Sequence, residues 1–432
     1  MDVHAAAEQI RSVDEMALGL GPGIPGGLLE ALGERDDFTD LHVFCALLTG
    51  WYPLFTKPGV KLLSGFYGPI ERVLLGQGKD VEFVPSDFRG FARVAEERPF
   101  RVMATAVAPP DENGFCSLSL HAGATVHALQ RACESPDQLV IAEINRQLPR
   151  TMGLPPEHPH ALHVDAIDVV YEVDRPIFAL QEGDPSPVEI AIAEHASAFI
   201  HDGCTLQTGI GGIPNAVMKQ LAAGDGGDYG VHSEMFTTGL MKLHQAGKVT
   251  NQKGIYDGFS PATFAAGTQE LYEWLDGNDL VRFLPVDLVN DPSIIARNRD
   301  FVSINGALSV DLQGQLVADS IAGDQFSGIG GHEDFVAGAA AHTSDRSLIC
   351  LPSTAGKGDA RISRITAKHP AGTLVTTPRH LTDVVITEYG AAELHAKTVR
   401  ERAEALAAIA HPAVRDALLA GEDELPPIPA ED

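Results

Sequence analysis

Glu234 is the residue best placed for covalent chemistry, in the run VHSEMFTTG (231–239). The run follows a glycine turn and a helix signal, so its carboxylate falls near the end of a predicted strand. A carboxylate there can be a nucleophile. It can equally cap a loop or the following helix, and spacing alone leaves both open. A second stretch is FSGIGGHEDFVAGAA (326–340), where Gly328, Gly330 and Gly331 could turn backbone N–H groups toward an anion or oxyanion. The same glycines suit a plain strand-to-helix turn. The third feature is charge. Between Lys357 and His380 lie Lys357, Arg361, Arg364, Lys368 and Arg379 against Asp359, a net +4 inside a chain of formal charge −28. Such an island suits a phosphate-bearing ligand or a solvated surface.

Other groups carry less. G-x-G-x-x-G is broken by Pro214 in 209–214 and by Glu333 in 328–333, which discounts a dinucleotide loop. His158, His160 and His163 match no standard zinc spacing, so no metal is expected. Cys45 reads as a buried apolar thiol rather than a nucleophile. Asp111, Glu112 and Asn113 read as turn residues, with Gly114 at a position of positive φ.

The elements that must position these groups follow from a repeat and from turn chemistry. GPGIPGGLLEAL (21–32) resembles IGGIPNAVMKQL (210–221) at an offset of 189, which sets Cys45 opposite Glu234. Two similar halves are therefore expected, 1–183 and 184–432, the second carrying the glutamate. At the join, Ser186, Pro187 and Glu189 form a capping box opening a helix. CTLQT (204–208) reads as a strand, GIGGI as a glycine turn, and Pro214 opens the next helix. Strand, turn, helix, strand is βαβ logic and implies a parallel sheet. Further strands are expected in 139–144, 161–173, 347–353, 373–378 and 383–390, and terminal helices in 397–421. The tail DELPPIPAED reads as frayed.

The chain has 432 residues, 44% hydrophobic and 21% charged, an ordinary globular composition with room for two domains. The acidic balance opposes nucleic acid and anionic membranes. Five dispersed cysteines suit a reducing compartment, and no leader or bilayer-length apolar run is seen, so the expected location is the cytoplasm.

Taken in order, the segments LQTGIGGIPNAV (206–217), GVHSEMFTTGLMKL (230–243), LVNDPSIIARN (288–298), SGIGGHEDFVAGA (327–339), LPSTAGKGDARISRI (351–365) and TLVTTPRHLTDVVITEYG (373–390) resemble the acetyl-CoA hydrolase/transferase family. That family includes 4-hydroxybutyrate, butyrate–acetate and succinate–acetate CoA-transferases. The first half is similar more loosely, at 107–120, 140–153 and 167–177. The resemblance implies an α/β fold of two similar CoA-transferase-like domains. Each would have a mostly parallel sheet flanked by helices, with the active site between them. It implies that Glu234 is the nucleophile, that the loop at Gly328, Gly330 and Gly331 supplies the oxyanion donor and lines the CoA site, and that Asn290 binds a substrate carboxylate or carbonyl. The segment holding Lys357 and Lys368 is assigned to CoA phosphates on charge. Two positions depart from the family pattern. His332 stands where members often carry Gln, and Thr237-Thr238-Gly239 where they often carry Ser-Asp-Gly. Both flank the expected acyl pocket, so acyl specificity is not read from the resemblance.

The implied reaction is CoA exchange between an acyl-CoA and a free carboxylate through a glutamyl-CoA thioester, with ping-pong kinetics. Acyl-CoA is a substrate, and no resident cofactor is expected. The alternatives are an acyl-CoA (acetyl-CoA) hydrolase on the same scaffold and a non-catalytic CoA-binding subunit. Expected partners are the small-molecule substrates, with no nucleic acid and no membrane, and a second copy of the chain in a homodimer or higher homo-oligomer.

Overall fold

The computed structural model describes residues 1–98, 100–422 and 424–429. The chain divides into two compact units. The first gathers Met1–Gln181 with two later segments, Ser233–Thr238 and Phe259–Asp291. The second holds Glu182–His232, Gly239–Gly258 and the chain from Pro292 onward.

The first unit is built on a seven-stranded sheet. Its strands are β1 (Val13–Leu18), β2 (Asp40–Cys45), β3 (Val60–Ser64), β4 (Val81–Phe83), β5 (Val102–Val107), β6 (Leu139–Asn145) and β7 (Val169–Val173). They lie in the order β4-β3-β2-β1-β5-β6-β7 and all run parallel. Every residue of β5 is buried, as a parallel strand covered on both faces requires. Alternate side chains feed two cores. Met16, Leu18, Leu41 and Val43 pack with Leu28, Leu29 and Leu32 of helix α1 (Gly26–Gly33). Ala17, Phe44 and Met103 pack with α2 (Phe88–Glu97) and α3 (Val126–Glu134). Asp87 caps α2 by accepting from Gly90 N at 2.6 Å, and Phe91 stacks on Phe44 at 5.4 Å. The strand order reverses between β1 and β5.

The second unit has a six-stranded sheet. Its strands are β8 (Thr205–Thr208), β9 (Gly230–Val231), β10 (Phe301–Gly306), β11 (Arg346–Cys350), β12 (Val384–Thr387) and β13 (Gly390–Glu393). The order is β9-β8-β10-β11-β12-β13, parallel except for the last pair. Helices α4 (Pro187–Ser197), α5 (Gly212–Ala223), α6 (His332–Ala339) and α7 (Val399–Ala408) accompany it. The capping box on α4 is present: Ser186 Oγ accepts from Glu189 N at 3.3 Å, and the Glu189 carboxylate accepts from Ser186 N at 2.7 Å. Both sheets are thus mostly parallel and flanked by helices, the α/β class expected. At the 189-residue offset, Met16–Leu18 of β1 falls on Thr205–Gln207 of β8, and α1 falls inside α5.

Three local expectations differ. Residues 373–378 form no strand; Thr377 makes only an isolated bridge to Leu316. The run 161–173 is broken by a 3-10 turn at Val164–Ala166. The tail is not frayed where it is described: Ile428 is 5% exposed and packs beside Leu418 and Val414. Three prolines keep that segment out of a helix, and Ile428 together with the partly buried Leu425 seats it. Asp423 and Ala430, Glu431 and Asp432 lie outside the described residues.

Candidate active site

Glu234 sits at a bend between β9 and the short strand Met235–Phe236. It is partly exposed, between the fully buried His232–Ser233 and Phe236. The strand Met235–Phe236 pairs in parallel with Phe264–Ala265. The Glu234 carbonyl accepts from Thr263 N at 2.8 Å and from Thr263 Oγ1 at 3.1 Å, so its backbone is held from one side. Thr263 is fixed in turn. Gly123 N donates to the Thr263 carbonyl at 3.2 Å, and a Cβ on Gly123 would come within 2.4 Å of the Thr263 Cβ. The absent side chain is what lets the turn at Gly123 approach the Thr263 segment.

The same contact places the partner of the Glu234 carboxylate. Val286 N donates to the Gly123 carbonyl at 2.8 Å and starts the single helical turn Val286–Val289. Asn290 caps that turn, with its N–H on the Val286 carbonyl at 2.8 Å. Its side chain is fully buried, and Nδ2 donates to Glu234 Oε2 at 2.7 Å. A donor to one carboxylate oxygen fixes the rotation of the group and favours the ionised form a nucleophile needs. Two residues separated by 56 positions are thereby brought together, both in the first unit.

Cys45 is fully buried, and burial beside Glu71 raises its thiol well above the ordinary range, so it is no nucleophile. His160 is buried against the Phe283 ring, with Nε2 at 2.9 Å from the Ser119 carbonyl. His163 reaches the Asn113 carbonyl at 3.0 Å.

The remaining expected site residues belong to the second unit. Gly328, Gly330 and Gly331 lead into α6; Gly330 has φ +55° and Gly331 is the N-cap of the helix. The other end of α6 adjoins the start of β11, since both line one 430 Å³ cavity through Ala339 and Arg346. The glycines therefore sit at the carboxyl edge of the sheet, where α/β folds bind ligands. His332 points inward: it is buried, its Nε2 lies 2.9 Å from Thr377 Oγ1, and burial lowers its pKa to about 4. In the first unit, Thr237 and Thr238 are buried, and Thr238 Oγ1 accepts from Thr268 N at 3.0 Å.

The basic island does not converge. Lys357 and Lys368 are exposed. Arg361 donates to the Pro429 carbonyl at 3.0 Å, and Arg379 to Gln313 Oε1. Arg364 stands apart, partly buried at the carboxyl ends of β10 and β11, with Nη1 3.3 Å from the Ala307 carbonyl. Beside it, Glu388 accepts from both Ser353 N and Ser353 Oγ, at 2.8 and 2.6 Å. Sequence reasoning missed Gly123, Thr263 and the Ser353–Glu388 pair. Glu388 shows only as part of the TEYG run, and nothing in the spacing points to Gly123.

The chain, with its two mostly parallel sheets, is matched by known proteins. Residues 267–421 match the model of the acetyl-CoA hydrolase/transferase C-terminal domain. The chain is 36% identical over 422 residues to the 4-hydroxybutyrate coenzyme A transferase of Clostridium kluyveri, covering 96% of this chain and 95% of that protein. It is 34% identical over 425 residues to a probable butyrate:acetyl-CoA coenzyme A-transferase of Syntrophomonas wolfei, covering 96% and 92%. Among solved structures, RipA from Yersinia pestis matches with a TM-score of 0.87 at 33% identity, covering 98% of this chain and 96% of that one. The chain belongs to the acetyl-CoA hydrolase/transferase family, as its ordered motifs implied. Relatives matching nearly its whole length are named CoA-transferases.

Proposed function

We propose that this protein exchanges CoA between an acyl-CoA and a free carboxylate, with Glu234 as the covalent carrier. The observation that carries the reading is the Glu234 carboxylate, partly exposed and held through Oε2 by buried Asn290 at 2.7 Å. A Glu234 oxygen attacks the thioester carbonyl carbon, the C–S bond breaks, and CoA thiolate leaves an acyl–glutamyl anhydride. The thiolate then attacks the Glu234 carbonyl carbon, which expels the first acid and forms a glutamyl-CoA thioester. An acceptor carboxylate reverses both steps. One thioester replaces another, so the bond energy is conserved and no external energy source enters. Glycine N–H groups at 328–331 supply oxyanion donors, and binding of the CoA tail supplies driving force for chemistry.

The same reading treats the chain as a duplicated fold, 1–183 and 184–432 by sequence. The turn–helix correspondence between α1 and α5 supports it.

The test is CoA exchange between acetyl-CoA and a panel of carboxylates, with a water-only control. Glu234→Gln is expected to lower exchange on the order of 10⁴-fold or more, by analogy with removal of other covalent nucleophiles. Borohydride added to acyl-CoA-loaded wild type is expected to reduce the glutamyl thioester and change the mass of the Glu234 peptide. Full activity of Glu234→Gln would end the proposal. CoA release in the water-only control at the rate seen with acceptors would replace it with hydrolysis.

A further inference from the structure

We infer that Arg364 binds an oxyanion of the substrate, a carboxylate or a phosphate, at the carboxyl edge of the second sheet. The inference rests on the CoA-transfer reading for the identity of the substrate, and on the geometry below for the site.

Arg364 is pinned before any ligand arrives. Its N–H donates to the Ser353 carbonyl at 2.9 Å, and its carbonyl accepts from Val310 N at 2.9 Å. The side chain therefore emerges between the end of β10, at Ala307, and the segment after β11, at Ser353. Ligands in open α/β sheets bind at this edge.

The guanidinium is under-used there. Of its N–H groups, Nη1 reaches the Ala307 carbonyl at 3.3 Å, a long contact, and Nε is buried without a hydrogen-bond partner among the described residues. No carboxylate of the described residues lies within 4 Å of it. The acid beside it, Glu388, turns both oxygens to Ser353 instead. Burial pulls the arginine below its usual range, and the Glu388 charge offsets this only in part. A partly buried cation without an ion-pair partner is costly to keep, so such groups ordinarily have a counter-charge. At a ligand-binding edge, that counter-charge is the ligand. The planar fork suits a carboxylate or phosphate better than a lysine would. The four other cations of the basic island lack this combination. Lys357 and Lys368 face solvent, while Arg361 and Arg379 are engaged on Pro429 and Gln313.

The test separates binding from turnover. Dissociation constants for CoA, 3′-dephospho-CoA, acetate and succinate are measured by calorimetry on wild type, Arg364→Gln and Arg364→Lys, with thermal melting as the folding control. KM for acetyl-CoA and for the acceptor acid is measured alongside. Arg364→Gln is expected to weaken one class of ligand roughly ten- to a hundred-fold and leave the other within about twofold. Arg364→Lys is expected to recover part of the loss. Loss for CoA but not for 3′-dephospho-CoA assigns the 3′-phosphate. Equal loss for both assigns the pyrophosphate, and loss confined to the acids assigns a carboxylate. A folded Arg364→Gln with every constant unchanged overturns the inference. If Arg364→Gln does not fold, Arg364→Lys decides, and unchanged constants there overturn the inference. If wild type binds CoA but exchanges none, the transfer reading fails while the binding data still decide on Arg364.

Discussion

Asn290 and Glu234 are the two side chains on which the proposed chemistry turns, joined by one bond of 2.7 Å. Asn290→Ala removes a charge-assisted donor and leaves the helical turn that carries it intact. Such a bond is worth roughly 1.5–3 kcal/mol, so kcat for exchange is expected to fall about ten- to a hundred-fold with little change in melting temperature. Asn290→Asp keeps the shape but sets a negative charge against the carboxylate, and its loss should be deeper. Steady-state kinetics on the two variants check this; equal rates for wild type and Asn290→Asp would remove Asn290 from the mechanism. Motif order points to Asn290 but not to its partner, because nothing local relates position 290 to position 234.

At the scale of elements, the site depends on how closely three short segments pack. Gly123 allows the Thr263 segment to approach, Thr263 holds the Glu234 carbonyl, and the Gly123 carbonyl anchors the turn ending at Asn290. Gly123→Ala must push Thr263 away, since its Cβ would lie 2.4 Å from the Thr263 Cβ. Overpacking of this kind costs roughly 1–3 kcal/mol. The variant is expected to fold, melt lower, and lose kcat while binding CoA as wild type does. Unaltered kcat would show that Glu234 does not need this support. Elsewhere local chemistry alone placed the element. Ser186 and Glu189 satisfy each other as the capping box requires, and Ser186→Ala should cost about 1 kcal/mol by chemical denaturation. The run 373–378 shows the converse: β-branched residues suggested a strand, but no neighbouring edge accepts it beyond the bridge at Thr377.

For the whole molecule, buried histidines predict how it fails in acid. His121 is held down to about 3, and His160 and His332 to about 4, from a usual 6.5, in each case chiefly by burial. The unfolded chain then binds more protons than the folded one below 6.5, so folded stability is complete above that pH and falls as pH drops toward 4. Each unit of depression is worth at most about 1.4 kcal/mol. Melting temperature should therefore decline between about pH 6.5 and pH 4, and His160→Gln should flatten part of that slope. A melting temperature constant across the window would contradict the burial of these rings.

What the amino-acid order determined by itself was whatever depends on near neighbours or on a long run of motifs. That covers the α/β class, the family, the capped helix at 187–197 and the candidacy of Glu234. Spacing could not show which donor holds the Glu234 carboxylate, nor sort the five cations from Lys357 onward into solvated and buried. Those outcomes belong to the path of the chain. A contact spanning 56 residues exists only once the turn at Gly123 has closed on the Thr263 segment, and the isolation of Arg364 appears only when Glu388 is seen turned toward Ser353. Burial and pairing are properties of the assembled neighbourhood, and sequence-distant groups make up that neighbourhood.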